Sequence, residues 1–345
     1  MTNNGNHPSR IGRYAVIDSI GHGETSHVYA ALDESIGRRV AVRVGRAGDP
    51  RVHQQARMTG QVAHPNVVSV LDLGDDHGGP FAVMELLDGV TLDAETRPAS
   101  LDRRLDMMLQ VCDGLQAAHD LGVVHGAVKP GHVFLQDDGV VKLLDFAGDS
   151  QAYASPEQSR ELHATERSDV FAAAATFHFL LTGRAPFESR AAAIADQPPA
   201  IRQADAPDAL SRTLLKAMEK DPLHRHASIN HLRAEIDQVR QGRQGDRQRI
   251  LMAAFDRYRD IETLLDRRRA LGRRLGLPAI EGECDTQLAN LAVRFPEFAR
   301  AGQDITAVGE VDPARAAEAL SQLQIVHNEV AAAVAVLRAA SGEGR

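Results

Sequence analysis

Ile20-Gly21-His22-Gly23-Glu24-Thr25-Ser26-His27-Val28-Tyr29, followed by Val40-Ala41-Val42-Arg43-Val44, decides how the first part of this chain is read. Apolar residues here come in short alternating runs punctuated by glycine, the pattern of half-buried strands joined by tight turns. The pattern extends outward from Tyr14 to Glu85 and closes on Phe81-Ala82-Val83-Met84, with Gly, Asp and Pro between the runs. It predicts antiparallel strands. Residues 52–62 carry spaced apolar side chains ahead of His64-Pro65, which predicts one helix stopping before the proline.

Beyond Leu87-Asp88-Gly89 the period lengthens. Leu101, Leu105, Met108, Leu109, Cys112, Leu115 and Ala118 recur at three- and four-residue steps, a core-facing helix. Two strand-like pieces follow, at 131–135 and 140–144, and then mostly helix over 156–239. Strands first and helices second predict an α+β arrangement, a small antiparallel-sheet lobe over about 11–87 and a larger helical lobe over about 88–240.

Arg240-Gln241-Gly242-Arg243-Gln244-Gly245-Asp246-Arg247 has two glycines and no apolar residue, and it is expected to be a linker to an all-α unit over 241–345. Leu251, Phe255, Tyr258, Ile261 and Leu265 form one helical stripe, and Asp312-Pro313 supplies an N-cap and first-turn pair for the last helix. In that helix Ala316, Leu323, Val330 and Leu337 repeat every seven residues, with Leu320, Val326 or His327, and Ala333 or Val334 between them. Such a seam suits a helical bundle or a short coiled coil, with a homo-oligomer through these helices as one outcome.

The bulk numbers bound the function. A length of 345 residues exceeds one compact domain, and 43% apolar with 25% charged residues describes an ordinary globular chain. A net charge of −8 gives no reason to expect nucleic-acid binding. Cys112 and Cys284 are the only cysteines and stand far apart, which supports neither a disulfide framework nor a zinc site. No uninterrupted apolar run reaches the ~18 residues of a membrane span, residues 1–10 read as a flexible lead-in, and the expected location is the cytoplasm.

The glycine stretch resembles the phosphate-covering loop of protein kinases, and other marks of that family follow in order. They are Val40-Ala41-Val42-Arg43-Val44, His64-Pro65-Asn66, Met84-Glu85, His125, Lys129-Pro130, Asp145-Phe146, Ser155-Pro156-Glu157, Ser168-Asp169-Val170, and Lys220-Asp221-Pro222 with Arg225. The resemblance covers about 11–240 and is closest to bacterial serine/threonine kinases. It implies a two-lobed kinase fold and an ATP pocket: Gly21 and Gly23 over the phosphates, Val28 and Ala41 above the adenine and Phe134 below. Glu85 to Leu87 would be the hinge, with Met84 at the gatekeeper position.

Departures from the family pattern set the functional expectation. Arg43 stands where the resemblance places the phosphate-holding lysine, and Gln55 where it places the glutamate that pairs with that lysine. In His125-Gly126-Ala127-Val128-Lys129-Pro130-Gly131-His132 the base position is Ala127 and the second metal-binding position is His132, so no catalytic set is intact and His125, Lys129 and His132 are remnants. Asp145 remains as a metal ligand for Mg or Mn, Ala147 replaces a glycine, and Gly126 replaces an arginine that receives activation-loop phosphates. Pro156-Glu157, Asp169 and Arg225 are kept. These losses predict a pseudokinase, a non-catalytic regulator or scaffold that binds a protein partner. The alternatives are an unusual ATP-using transferase working through Gly21, Gly23, Arg43, Lys129 and Asp145 with a base such as His132, and a nucleotide-sensing module. The basic run Arg267-Arg268-Arg269 with Arg273-Arg274 is expected to be a solvated helix face.

Overall fold

The computed structural model describes residues 8–22, 26–76, 78–95, 99–148, 150–203, 205–301 and 313–341. Gly23, the Asp312 cap and most of the N-terminal lead-in lie outside the described residues. The chain divides into two compact units, Met1–Arg240 and Gln241–Arg345.

The first unit begins with β1 (Arg10–Ile11), β2 (Tyr14–His22), β3 (Ser26–Asp33), β4 (Arg38–Gly45), β5 (Val70–Asp76) and β6 (Gly79–Glu85), in one antiparallel sheet ordered β1-β2-β3-β4-β6-β5. Its register sorts the side chains by the two-residue period of a strand. Tyr14, Tyr29, Ala31, Val40, Val42, Phe81 and Val83 form an apolar cluster on one face. The other face carries Gly21 opposite Val28, Val28 opposite Arg43, and Ala41 opposite Met84. On this second face Ala82 packs with Val52 and Ala56 of α1 (Arg51–Thr59). The alternation in Val40-Ala41-Val42-Arg43-Val44 therefore separates a packing face from a functional one.

The helical lobe is built on α2 (Leu101–His119), whose Ser100 hydroxyl caps the helix by accepting from Arg103 N at 3.2 Å. Leu105, Met108, Cys112 and Leu115 of α2 are buried in one core with Leu143, Phe146, Phe171, Leu214 and Ile236. Against it lie a three-stranded sheet of β7 (Gly89–Thr91), β8 (Val133–Gln136) and β9 (Val141–Leu143), then α3 (Pro156–Ser159), α4 (Glu166–Thr182), α5 (Arg190–Ala195) and α6 (Asp208–Ala217).

The expected linker segment falls at the division between the two units but is helical. Residues 240–247 lie inside α7 (Ile229–Arg274), a single helix of 46 residues. Glycine in a helix interior costs about 1 kcal/mol relative to alanine, but the segments on either side bury Ile229, Leu232 and Ile236 in one core and Ala254, Phe255 and Tyr258 in another. Extending a helix already anchored at both ends costs less than ending and restarting it. A Cβ at Gly242 or Gly245 would meet nothing within 4 Å. Gly242→Ala and Gly245→Ala are each expected to stabilise the local helix by about 0.5–1 kcal/mol, read as amide exchange slowed roughly two- to fivefold across this stretch.

The second unit adds α8 (Ala279–Arg294), α9 (Pro296–Ala301) and α10 (Pro313–Ser341). Phe298 is fully buried at its centre, with ring centroids of Tyr258, Phe295 and Phe255 at 6.0, 6.4 and 6.5 Å. Ala316, Leu323 and Val330, the heptad positions of α10, are buried in this same core. The coiled-coil expectation is corrected accordingly: the seam is occupied by the unit's own helices. Arg315–Ser341 is also long and apolar enough to cross a membrane by length and composition, with a mean hydropathy of 1.2 and 17% of that stretch buried. The basic run is not simply solvated. Arg268 reaches Glu283 at 2.6 Å, and Arg269 and Arg273 pair with Asp285 and Glu281, so acids of α8 neutralise it.

Candidate functional site

On the functional face of the sheet, Arg43 extends from β4 with its Nε donating to Ser26 Oγ at 3.0 Å. Its Nη1 pairs with the carboxylate of Asp145 across the cleft. Gln55 of α1 does not hold Arg43; its amide points at the Ala147 carbonyl, 3.4 Å away. The arginine's charge is therefore balanced by Asp145 alone among the described residues.

Asp145 sits just after β9 in the left-handed backbone region, with φ 58°, and Ala147 follows with φ 56°. An L-residue there is strained by about 1–2 kcal/mol, which glycine escapes. Ala147→Gly is expected to raise unfolding free energy by about 0.5–1 kcal/mol, the strain relief exceeding the entropy added to the unfolded chain. A urea titration of the two proteins checks this.

The catalytic-loop segment is held from beneath by Asp169, fully buried on α4. Its Oδ2 accepts from His125 N at 2.8 Å and its Oδ1 from Gly126 N at 2.7 Å. His119 Nε2 lies 2.8 Å from Oδ2, and because a carboxylate only accepts, this imidazole nitrogen is the donor. Gly126 has φ 70°, so a left-handed turn explains the glycine where the resemblance expects an arginine. His125 is buried, stacks on Phe146 with centroids 4.2 Å apart, and accepts from Ala127 N at Nδ1 (3.2 Å). Burial lowers its pKa, and its role is to shape the loop.

Ala127 is completely buried. Its carbonyl lies 2.8 Å from His132 Nδ1, and since a carbonyl only accepts, Nδ1 carries the proton. The other nitrogen, Nε2, lies 3.8 Å from Asp145 Oδ2. Burial pushes the His132 pKa down to about 4 against the opposing pull of Asp145, so the ring is neutral at neutral pH. Gly148 closes over this pair: a Cβ there would stand 2.9 Å from His132 Cε1 and 3.6 Å from the Ala127 methyl. Lys129 is half-buried; its carbonyl accepts from His132 N at 2.9 Å, and its ammonium makes no hydrogen bond or ion pair among the described residues.

At the hinge, Met84 opposes Ala41, and Glu85 is fully engaged. Its N–H donates to Ser69 O at 3.0 Å, and its carboxylate takes Ser69 N at 2.8 Å and Lys142 Nζ at 2.7 Å. Burial raises the Glu85 pKa, but the bonds from Lys142 and Ser69 outweigh it and leave the value below the usual range. Leu87 has no backbone partner for its N–H or C=O among the described residues, which leaves both for a ligand edge. Phe134 of β8 is half-buried and paired in register with Thr91. A groove of 690 Å³ against the sheet, lined by Ile11, Tyr29, Val44, Arg46 and Asp76 among others, shares Ser26 with this site but includes neither Arg43, Asp145, His132 nor Lys129.

Sequence reading did not single out Ser26 as the brace of Arg43, the Lys142–Glu85 pair, or Gly148 as the cover of Ala127. The first is signalled only by the strand register; the others join positions with no local pattern. Among the described residues no three His, Cys, Asp or Glu converge on one metal position. Asp145, an oxygen donor, is the residue here that could hold a divalent ion together with nucleotide phosphates.

Comparison with known proteins places this geometry. Residues 14–232 match the protein kinase domain family. Serine/threonine-protein kinase PrkC of Bacillus subtilis is 31% identical over 259 residues, covering 65% of this chain and 40% of that protein. Serine/threonine-protein kinase PknB of Mycolicibacterium smegmatis is 31% identical over 283 residues, 70% of this chain and 45% of that protein. The kinase domain of Mycobacterium tuberculosis PknI superposes with a TM-score of 0.59 at 25% identity, over 67% of this chain and 96% of that one. This chain thus spans less than half the length of the curated relatives it matches. The expectation of a non-catalytic scaffold, drawn from the departures at Arg43, Gln55, Ala127 and His132 together, is overturned by these relatives, which are named as serine/threonine kinases. From the sheet register, the Asp145 cleft and these matches together, the chain belongs to the protein kinase domain family.

Proposed function

We propose that this chain is an ATP-dependent phosphotransferase of the serine/threonine-kinase type, acting on protein hydroxyls in the bacterial cytoplasm through a cleft of altered composition. The meeting of Arg43 and Asp145 carries this reading: a cation from the upper lobe and a carboxylate from the lower one converge where nucleotide phosphates would lie. Leu87 offers its N–H and C=O to the adenine edge, between Val28 and Ala41 above and Phe134 below. Arg43 turns from Asp145 to the phosphates, presenting a planar fork in place of an ammonium. Lys129, uncommitted among the described residues, is placed to balance charge on the group in flight.

Asp145 would hold a divalent ion, which would supply charge neutralisation to the phosphates. With Ala127 at the base position, the acceptor hydroxyl gives its proton to a phosphoryl oxygen or to water. Phosphoryl transfer rests chiefly on positioning and electrostatics, so the lack of a positioned base slows it by about 10²–10⁴ rather than preventing it. The test is incubation with γ-labelled ATP and Mg²⁺ or Mn²⁺, followed by phosphoamino-acid analysis of the chain itself and of a generic basic protein. Slow labelling of serine or threonine is expected. Unlabelled protein after prolonged incubation with either metal overturns the reading.

A further inference from the structure

We propose that Ser26 is the positioning residue that braces Arg43 for the nucleotide phosphates, a task the sheet performs here without α1. The inference rests on the cleft being an ATP site with Arg43 on the phosphates. It deepens that reading by naming what holds Arg43 and what does not.

The strand register brings the two side chains together. Val28 pairs with Arg43 and Ser26 with Gly45, so Ser26 shares the strand face of Val28 and lies diagonally across from Arg43. A serine hydroxyl is short, but the arginine stem closes that diagonal and Nε donates to Ser26 Oγ at 3.0 Å. Ser26 is 7% exposed, so the bond lies largely out of water and its loss is not readily made good by solvent.

The bond orients the head of the side chain as well as its stem. With Nε spent on Ser26, the guanidinium is left with its Nη1–Nη2 edge, and Nη1 meets Asp145 across the cleft. That edge is the two-pronged donor that matches a pair of phosphate oxygens. A lysine has no donor along its stem, so Ser26 could hold a lysine only by taking the ammonium itself. The brace therefore belongs with arginine at this position.

Helix α1 takes no part in it. Gln55, the α1 residue at the position where the resemblance places an ion-pair partner, aims its amide at the Ala147 carbonyl, 3.4 Å away. Ser26 and Arg43 instead belong to neighbouring strands, β3 and β4, paired continuously from Ser26–Gly45 to Asp33–Arg38. A displacement of α1 leaves that pairing and the Ser26–Arg43 bond in place, so transfer by this chain does not depend on the position of that helix.

The experiment uses the full chain and measures ADP and adenosine binding by calorimetry beside transfer from γ-labelled ATP. Ser26→Ala is expected to weaken ADP binding and transfer by about tenfold or more, the effect of removing a hydrogen bond to a charged group. Adenosine has no phosphate for Arg43 to hold, and its binding should stay within about twofold, which a general distortion of the cleft would not allow. Ser26→Thr keeps the hydroxyl and should restore most of the loss. In an Arg43→Lys background, Ser26→Ala should add little, because Ser26 acts through the guanidinium. Gln55→Ala should transfer within about twofold of the unaltered chain. Unchanged ADP binding by Ser26→Ala, or an equal loss of ADP and adenosine binding, overturns the inference and leaves phosphoryl transfer standing. So does a tenfold fall in transfer by Gln55→Ala, a result that holds even if Ser26→Ala does not fold. An unaltered chain that neither binds ADP nor transfers phosphate overturns both readings.

Discussion

Asp145→Asn is expected to lower phosphoryl transfer by about 10²–10³-fold and to remove metal-dependent nucleotide binding, while leaving the folded state nearly as stable as before. Asparagine is the informative replacement because Asp145 has φ 58°, a conformation asparagine tolerates and alanine does not. The change keeps shape and backbone and removes only the charge. Two consequences compete. Losing the carboxylate strips the metal of its oxygen ligand and leaves Arg43 without its counter-charge. Against that, the Arg43 and Asp145 side chains keep 17% and 27% of their surface accessible, so their pair contributes about 1 kcal/mol or less to stability. A labelled-ATP assay beside a thermal melt separates them. Full transfer by a folded Asp145→Asn protein would move the metal site elsewhere.

Arg225→Ala is expected to cost about 3–5 kcal/mol, a large share of the roughly 5–15 kcal/mol that holds a domain folded. All five guanidinium donors are used: Nε on Glu219 O at 2.7 Å, Nη1 on Glu157 Oε1 at 2.8 Å and Arg167 O at 2.9 Å, Nη2 on Glu157 Oε2 at 2.8 Å and Lys220 O at 3.1 Å. The head also lies over the Phe171 ring, 4.9 Å from its centroid. Truncation leaves the buried Glu157 carboxylate with Ser168 Oγ, at 2.7 Å, as its remaining side-chain partner. Guanidinium unfolding should show the loss, and Arg225→Ala combined with Glu157→Gln should show less of it than Arg225→Ala alone, because a neutral amide is cheaper to bury than an unpaired charge.

The same pair gives a pH dependence. Burial raises the Glu157 pKa, but hydrogen bonds and charge from Arg225 more than reverse this and hold it at about 2. A carboxylate with a depressed folded pKa contributes stability above its unfolded value, near 4.5, and loses it as pH falls towards 2. Stability of the first unit should therefore decline between about pH 4.5 and 2, and Glu157→Gln should flatten that decline.

Much of the fold was legible because it rests on local periodicity. Two-residue alternation around Val42 and three- to four-residue steps around Leu109 are properties of neighbouring residues, and β4 and α2 lie where those patterns place them. The reading failed where a local cost met a distant gain. Two glycines and six polar residues over 240–247 look like a linker, yet buried side chains on both sides carry the helix through. The departures at Arg43, Gln55, Ala127 and His132 together pointed to lost catalysis, an expectation that the kinase relatives overturn. Gly126 looked like a lost arginine and is a left-handed turn held by Asp169.

By itself the sequence determined which residue types stand in the cleft: an arginine on the third long strand, an alanine and a histidine in the loop, a carboxylate at Asp145. Only the tertiary structure decided their partners. Arg43 finds Asp145 across 102 positions, Arg225 finds Glu157 across 68, and Lys142 finds Glu85 across 57. Charge attraction carries no record of chain order. It is the burial of apolar faces from both lobes that brings these groups within a few ångströms, where the pairing becomes cheaper than hydration.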